Sequence, residues 1–248
     1  MNRKPVIAVA QIRYYDVSRT NNLNKILRYI RLAKKRKADI VCFPESCIHR
    51  KGLHKDHEMI HLIKEECKKN SIWCIVTEDL TKDHKKVYNT SLLIDRKGII
   101  RGEYKKIHLY GDKTLPGNRI PVFKTDFGKI GIAICWDIAF PDLFEKMKEK
   151  GAEIVFCPAQ WWYDSGVHLK DHKKYETEIL KSLILTRAYE NVFFLAFCNP
   201  VMDSAHQISY SAISSPSKIL KEINNREGII VQKINLDEIK KLHAIYDS

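Results

Sequence analysis

No apolar run in the sequence approaches the roughly 20 residues needed to cross a bilayer as a helix, so a membrane-spanning protein is not expected. The first apolar run, Val6 to Ala10, is short. It ends at polar Gln11 and Arg13 with no small-residue cleavage site, so it reads as a first strand and not a signal peptide. The cysteines number seven, an odd count at irregular spacings. That disfavours a disulfide framework and suggests a reduced, cytoplasmic setting. No tandem repeat, low-complexity tract or linker interrupts the chain. One domain spanning 1–248 is the expectation for this length. No nucleic-acid-binding motif is present, although the formal net charge is +13. The basic residues are spread along the chain, with runs such as Lys34 to Lys37 at a helix end, where cations complement the helix dipole. A solvated basic surface explains the charge without a nucleic-acid or membrane partner.

What is present is a core. Hydrophobic residues make up 44% of the chain, well outside the range of a disordered sequence. Strand-like runs at Val6–Ile12, Asp39–Phe43, Ile72–Thr77, Val87–Ile94 and Ile99–Glu103 are interleaved with helical patterns at Ser18–Lys37 and Glu58–Lys69. Ser18 or Thr20 would cap the first helix. Asp95-Arg96-Lys97-Gly98 is a hairpin turn signal. After a Gly- and Pro-containing loop, Tyr110–Pro121, come strands at Lys129–Ile134, Glu153–Cys157, Val192–Phe197, Ile208–Ile213 and Gly228–Ile234. Helices are expected at Pro141–Lys150, Asp171–Tyr189 and the C-terminus. This mixture predicts an α/β fold with mixed sheets covered by helices.

Three segments place a reactive side chain where a strand ends, a common position for catalytic groups. Ile40-Val41-Cys42-Phe43-Pro44 runs into Glu45, a carboxylate at the lip of the core that can act as a base. Tyr104-Lys105-Lys106-Ile107-His108-Leu109 brings two lysines off a strand, either of which would stabilise developing negative charge. Gly128 to Ile134 is a buried strand ending at Cys135, with Trp136-Asp137 and the helix signal Pro141-Asp142-Leu143 following. That is the shape of a nucleophile elbow, whose free N–H groups supply oxyanion donors. Alone, each has a plain structural reading: a loop glutamate, a pair of surface lysines, a buried cysteine.

Together the three segments resemble those of the nitrilase, or carbon–nitrogen hydrolase, superfamily. Its members carry a Glu–Lys–Cys triad in this order, and the lysine motif selects Lys106 over Lys105. Gly151-Ala152-Glu153-Ile154, Pro158-Ala159, Arg187-Ala188-Tyr189-Glu190-Asn191 and Ser211–Leu220 extend the likeness over nearly the whole chain. The resemblance implies a four-layer α-β-β-α sandwich. It also implies a cysteine hydrolase that needs no metal or organic cofactor, acts on a small amide, N-carbamoyl compound or nitrile, and pairs as a homodimer or larger. The roles it implies are Glu45 as base, Lys106 and the backbone N–H of Trp136 as oxyanion donors, and Cys135 as nucleophile.

The family's second glutamate, a few residues before a Pro-Gly, has no counterpart ahead of Pro116-Gly117. Either Asp112, the only nearby acid, replaces it or the role is missing. Trp136, Trp161, Trp162 and Tyr163 would line a pocket with apolar walls. Gln160 and His168 would orient a polar group, and Asp137 would fix the turn at the nucleophile. Two other readings compete. One is a non-catalytic binding member of the same fold. The other is a zinc peptidase built on His57-Glu58-Met59-Ile60-His61, which matches H-E-x-x-H, with Glu78 as a distant third ligand. In the frame of the resembled family that segment is an ordinary amphipathic helix with Met59, Ile60, Leu62 and Ile63 inward.

Overall fold

A computed structural model describes residues 3–14, 21–49, 51–81, 86–163, 166–167, 171–202 and 206–246 of the protein. In chain order its elements are β1 (Val6–Gln11), α1 (Leu23–Lys35), β2 (Ile40–Cys42), β3 (Leu53–His54), α2 (Glu58–Asn70), β4 (Trp73–Thr81), β5 (Val87–Ile94), β6 (Ile100–Lys105), β7 (Val122–Lys124) and β8 (Lys129–Ile132). Then come a 3₁₀ turn (Cys135–Ala139), α3 (Pro141–Glu149), β9 (Ile154–Pro158), α4 (His172–Asn191), β10 (Phe194–Cys198), β11 (Tyr210–Ser214), β12 (Ile219–Asn224), β13 (Gly228–Lys233) and α5 (Leu236–Tyr246).

Among the described residues the strands form two mixed sheets. One has the order β13-β1-β2-β4-β5-β6, with β3 paired to β4; the other runs β12-β11-β10-β9-β8-β7. Successive side chains on a strand point to opposite faces, and this alternation divides the first sheet between two cores. Ile7 and Val9 of β1, Ile40 and Cys42 of β2 and Ile75 of β4 join the cluster built with the second sheet. Ala8, Ala10, Val41, Cys74 and Val76 pack on the other side with Ile26, Ile30 and Ala33 of α1 and with Ile60, Ile63 and Cys67 of α2. Leu143, Phe144 and Met147 of α3 and Leu180, Ile184 and Ala188 of α4 join the cluster of the second sheet. The result is the expected α-β-β-α sandwich.

Several boundaries differ from the sequence reading. The first helix starts at Leu23; Ser18 and Thr20 lie outside the described residues. β4 does not stop at Thr77 but pairs with β5 as far as Thr81 opposite Val87. The buried carboxylate of Glu78 is tolerated in that strand because it accepts the backbone N–H groups of Ile48, His49 and Asp79 at 2.7, 2.9 and 3.0 Å. Edge strands β7 and β12 carry little apolar alternation and were not anticipated. The Asp95 turn forms as expected, its carboxylate accepting from the N–H groups of Lys97 and Ile99, with Gly98 at φ 72°.

The H-E-x-x-H segment does not make a metal face. His57 precedes α2 as its N-cap, and its Nδ1 accepts from the Met59 N–H at 3.1 Å. Ile60 and Ile63 point inward as expected, whereas Leu62 is exposed. Among the described residues no group of three or more His, Cys, Asp or Glu side chains is placed to hold a metal ion.

Candidate active site

The three expected residues converge. β2 ends at Cys42, and the chain continues through Phe43 and Pro44 to Glu45, whose N–H donates to the Ala159 carbonyl just past β9. Strand ends of both sheets thereby meet. Lys106 follows β6 and keeps its ladder, donating its N–H to Asn89 of β5. Behind it the Tyr110–Pro121 loop folds back, with the Gly117 N–H on the Lys106 carbonyl at 2.7 Å. A Cβ at Gly117 would collide with the Lys105 carbonyl, so this close approach requires glycine.

Cys135 opens the 3₁₀ turn in the left-handed region, φ 50°, a strained position for a residue with a side chain. Asp137, fully buried, clamps that turn. One of its oxygens accepts from the Ile134 N–H (2.9 Å) and the Tyr104 hydroxyl (2.6 Å). The other accepts from the His108 N–H (2.8 Å) and lies 3.0 Å from His108 Nδ1. The Asp137 side chain fixes the turn, as expected. Arg187 of α4 grips its other end, with Nε and Nη2 on the carbonyls of Ile138 and Ala139.

Glu45 is 3% exposed and Lys106 2%. Lys106 Nζ donates to Glu45 Oε1 at 2.9 Å and to Asp112 Oδ2 at 2.9 Å. The remaining Glu45 bonds come from Asn89 Nδ2 to Oε1 and the Gln160 N–H to Oε2, both 2.9 Å. Burial alone would lower the Lys106 pKa. The carboxylates of Glu45 and Asp112 outweigh it and hold the ammonium well above the ordinary lysine range. Burial, then the Glu45 carboxylate, pushes the Cys135 thiol up. Cys135 therefore rests as a thiol beside the Glu45 carboxylate.

These groups line a cavity of about 350 Å³. Trp136, Gln160, Trp161, Trp162 and Asp112 are on its wall. Gln160 contributes chiefly through its backbone, and its side-chain nitrogen lies 3.6 Å from the Met202 sulfur. Tyr163 does not line the cavity; it packs beside His172 and His206. His168 lies outside the described residues. Three contributors escaped the sequence reading: Asn89, Tyr110 and Asp79. The signal for Asn89 was a polar residue inside a strand that ends in Leu92, Leu93 and Ile94.

Two sheets with flanking helices and a buried Glu–Lys–Cys cluster at their strand ends define a nitrilase-type α/β fold. The family model for carbon-nitrogen hydrolases matches residues 6–244, and the chain belongs to that family. It is 32% identical over 184 residues to a 2-oxoglutaramate amidase of Bacillus subtilis (strain 168), covering 71% of this chain and 67% of that protein. The fold is that of Saccharomyces cerevisiae Nit3, a member of branch 10 of the nitrilase superfamily, with TM-score 0.84 at 22% identity over 98% of this chain and 94% of that one. A mutant amidase from Nesterenkonia sp. AN1 superposes with TM-score 0.80 at 19% identity, covering 98% and 96% of the two chains. In it the acetamide moiety of fluoroacetamide is covalently added at the active site cysteine.

Proposed function

We propose that the protein hydrolyses the C–N bond of a small amide or N-carbamoyl compound, with a nitrile less favoured, through a thioester on Cys135. The observation that carries this reading is the convergence of a buried carboxylate, a buried ammonium and a thiol on one cavity, with Glu45 bonded to the Lys106 ammonium. Glu45 takes the thiol proton as Sγ bonds to the carbonyl carbon. The oxyanion is met by the Lys106 ammonium and the Trp136 N–H, each such donor worth roughly 3–4 kcal/mol of barrier. The intermediate collapses, the C–N bond breaks, and Glu45 returns its proton to the departing nitrogen. Water, deprotonated by Glu45, then attacks the thioester. The C–S bond breaks, the acid leaves and the thiol is restored. The sequence of steps uses no metal or organic cofactor, and an amine in place of water would turn it into acyl transfer.

Asp112 accepts a second hydrogen bond from Lys106 beside that to Glu45, which supports it as the shorter replacement for the family's second glutamate. A purely binding role would leave no reason for two carboxylates to hold a buried ammonium beside a thiol. Exposed Tyr175, Ile179 and Tyr189 on α4 support pairing of subunits. No helix among the described residues is long and apolar enough to cross a membrane.

The test is intact-protein mass spectrometry with ammonia detection over a panel of amides, N-carbamoyl compounds and nitriles, using wild type and Cys135→Ala. An acyl adduct and ammonia release, both confined to wild type, are expected. Ammonia release that persists in Cys135→Ala would refute the nucleophile.

A further inference from the structure

The chemistry above leaves one carboxyl group of the cavity unused. Asp79 sits on β4 directly opposite Asn89 of β5, and it lines the same cavity as Cys135. Two acceptor oxygens on this cross-strand pair, Asp79 Oδ1 and Asn89 Oδ1, are buried and accept no hydrogen bond. Asn89 cannot turn to relieve this, because its Nδ2 is committed to Glu45. Buried acceptors of this kind call for a donor. The Lys106 ammonium does not supply one: its bonds go to Glu45 and Asp112. Lys113 also lines the cavity, but it is exposed and belongs to the rim.

Electrostatics point the same way. Burial, then the carboxylates of Glu45 and Asp112, raises Asp79 to about 6, with Lys106 and the Asn89 amide acting against them. A cation beside Asp79 relieves that strain, whereas an anion deepens it. Four aromatic residues, Tyr110, Trp136, Trp161 and Trp162, share the wall. The Tyr110 ring lies 4.6 Å from that of Trp136 and 4.8 Å from that of Trp162. Aromatic faces attract cations and give nothing to anions.

We propose that Asp79 is a specificity-determining residue that selects substrates whose scissile amide is joined by a short aliphatic chain to a protonated amine. The inference rests on the cysteine-hydrolase reading for the identity of the scissile group but not for the cation preference. In the bound state the ammonium donates to Asp79 Oδ1 and Asn89 Oδ1 against the aromatic wall, while the amide carbon lies at Cys135.

The test separates binding from turnover. Binding of 4-aminobutanamide, its neutral isostere pentanamide and the anionic succinamate to Cys135→Ala protein is measured by calorimetry at about pH 8, where Asp79 is ionised and the amine protonated. The expected result is that the cationic amide binds about tenfold or more tightly than either of the others. Asp79→Asn in the same background should erase that gap and leave pentanamide within about threefold. Equal binding of the three, or tighter binding of succinamate, overturns the proposal, and this needs no Asp79 variant to fold. A uniform loss for all three amides in Asp79→Asn also overturns it, since that marks a structural role. Asp79→Ser serves as a second variant. Ammonia release by wild type with the same compounds separates the two claims. Selective binding without any release refutes the hydrolase reading and keeps the cation preference; release without cation preference does the reverse.

Discussion

Asp137→Asn tests whether the nucleophile turn is held by one buried carboxylate. The side chain is wholly buried and serves four donor positions, two on each oxygen. Asparagine keeps the shape but has a single acceptor oxygen. Its amide nitrogen must therefore face either the Ile134 N–H and Tyr104 hydroxyl or the two nitrogens of His108. A buried donor left without an acceptor costs about 1–3 kcal/mol. Losing one side of the clamp, less some relaxation, predicts a destabilisation of about 2–4 kcal/mol, a large share of a typical domain's stability. Tyr104→Phe removes one donor and leaves the other bonds standing, so it should cost only about 1 kcal/mol. In the double variant the asparagine meets one donor fewer, and the two costs should add to less than their sum. Urea unfolding with an unchanged m-value is the assay. Ammonia release should fall about tenfold or more, because Cys135 would no longer be held at its left-handed position. An Asp137→Asn protein within about 0.5 kcal/mol of wild type would refute the clamp.

Two further outcomes follow from the charges around Lys106 and Asp79. Lys106→Met strips the buried carboxylates of Glu45 and Asp112 of their shared cation; a loss of about 3–5 kcal/mol by urea unfolding at neutral pH is expected, with turnover down by about 10²–10³. Unchanged turnover in that variant would contradict an oxyanion role. Asp79, faced by Glu45, Asp112, Lys106 and Asn89, is raised from 3.8 to about 6 in the folded protein. The folded state thus keeps a proton that the unfolded chain releases. The associated stability is full below about pH 4 and is lost as pH rises through about 6, amounting to about 1–2 kcal/mol after allowance for the group's partial exposure. Asp79→Asn should remove that slope from the pH profile of unfolding, and an identical slope in the variant would show that another group produces it.

How much of this could be read from the sequence depends on where each residue sits relative to its strand. Glu45, Lys106 and Cys135 each follow an apolar or alternating run that pairs with a neighbouring strand, so the strand ends carry them to a common edge once the sheets pack. The alternation in β1, β2 and β4 likewise marked both cores of the first sheet. Asp79 was hidden by a local rule. Two consecutive acids, Glu78-Asp79, look like the end of a strand because strands disfavour them. The ladder continues anyway, since three backbone N–H groups, two of them in the segment after Glu45, satisfy Glu78. That compensation comes from residues about thirty positions away, which no local pattern records. Asn89 was hidden by the opposite effect: the hydrophobic end of β5 identified the strand so well that its polar start, buried at Asn89, Thr90 and Ser91, was read as part of an ordinary core. Buried polar groups in a strand must find partners. Here Ser91 meets Thr77 across the sheet at 2.7 Å and Asn89 meets Glu45. Of the polar residues that break the apolar pattern of β5, Asn89 is the one that binds Glu45. Asp79, on the neighbouring strand opposite Asn89, keeps one buried carboxylate oxygen facing no donor, and that orphan oxygen is what ties substrate choice to the same pair of strands that positions Glu45.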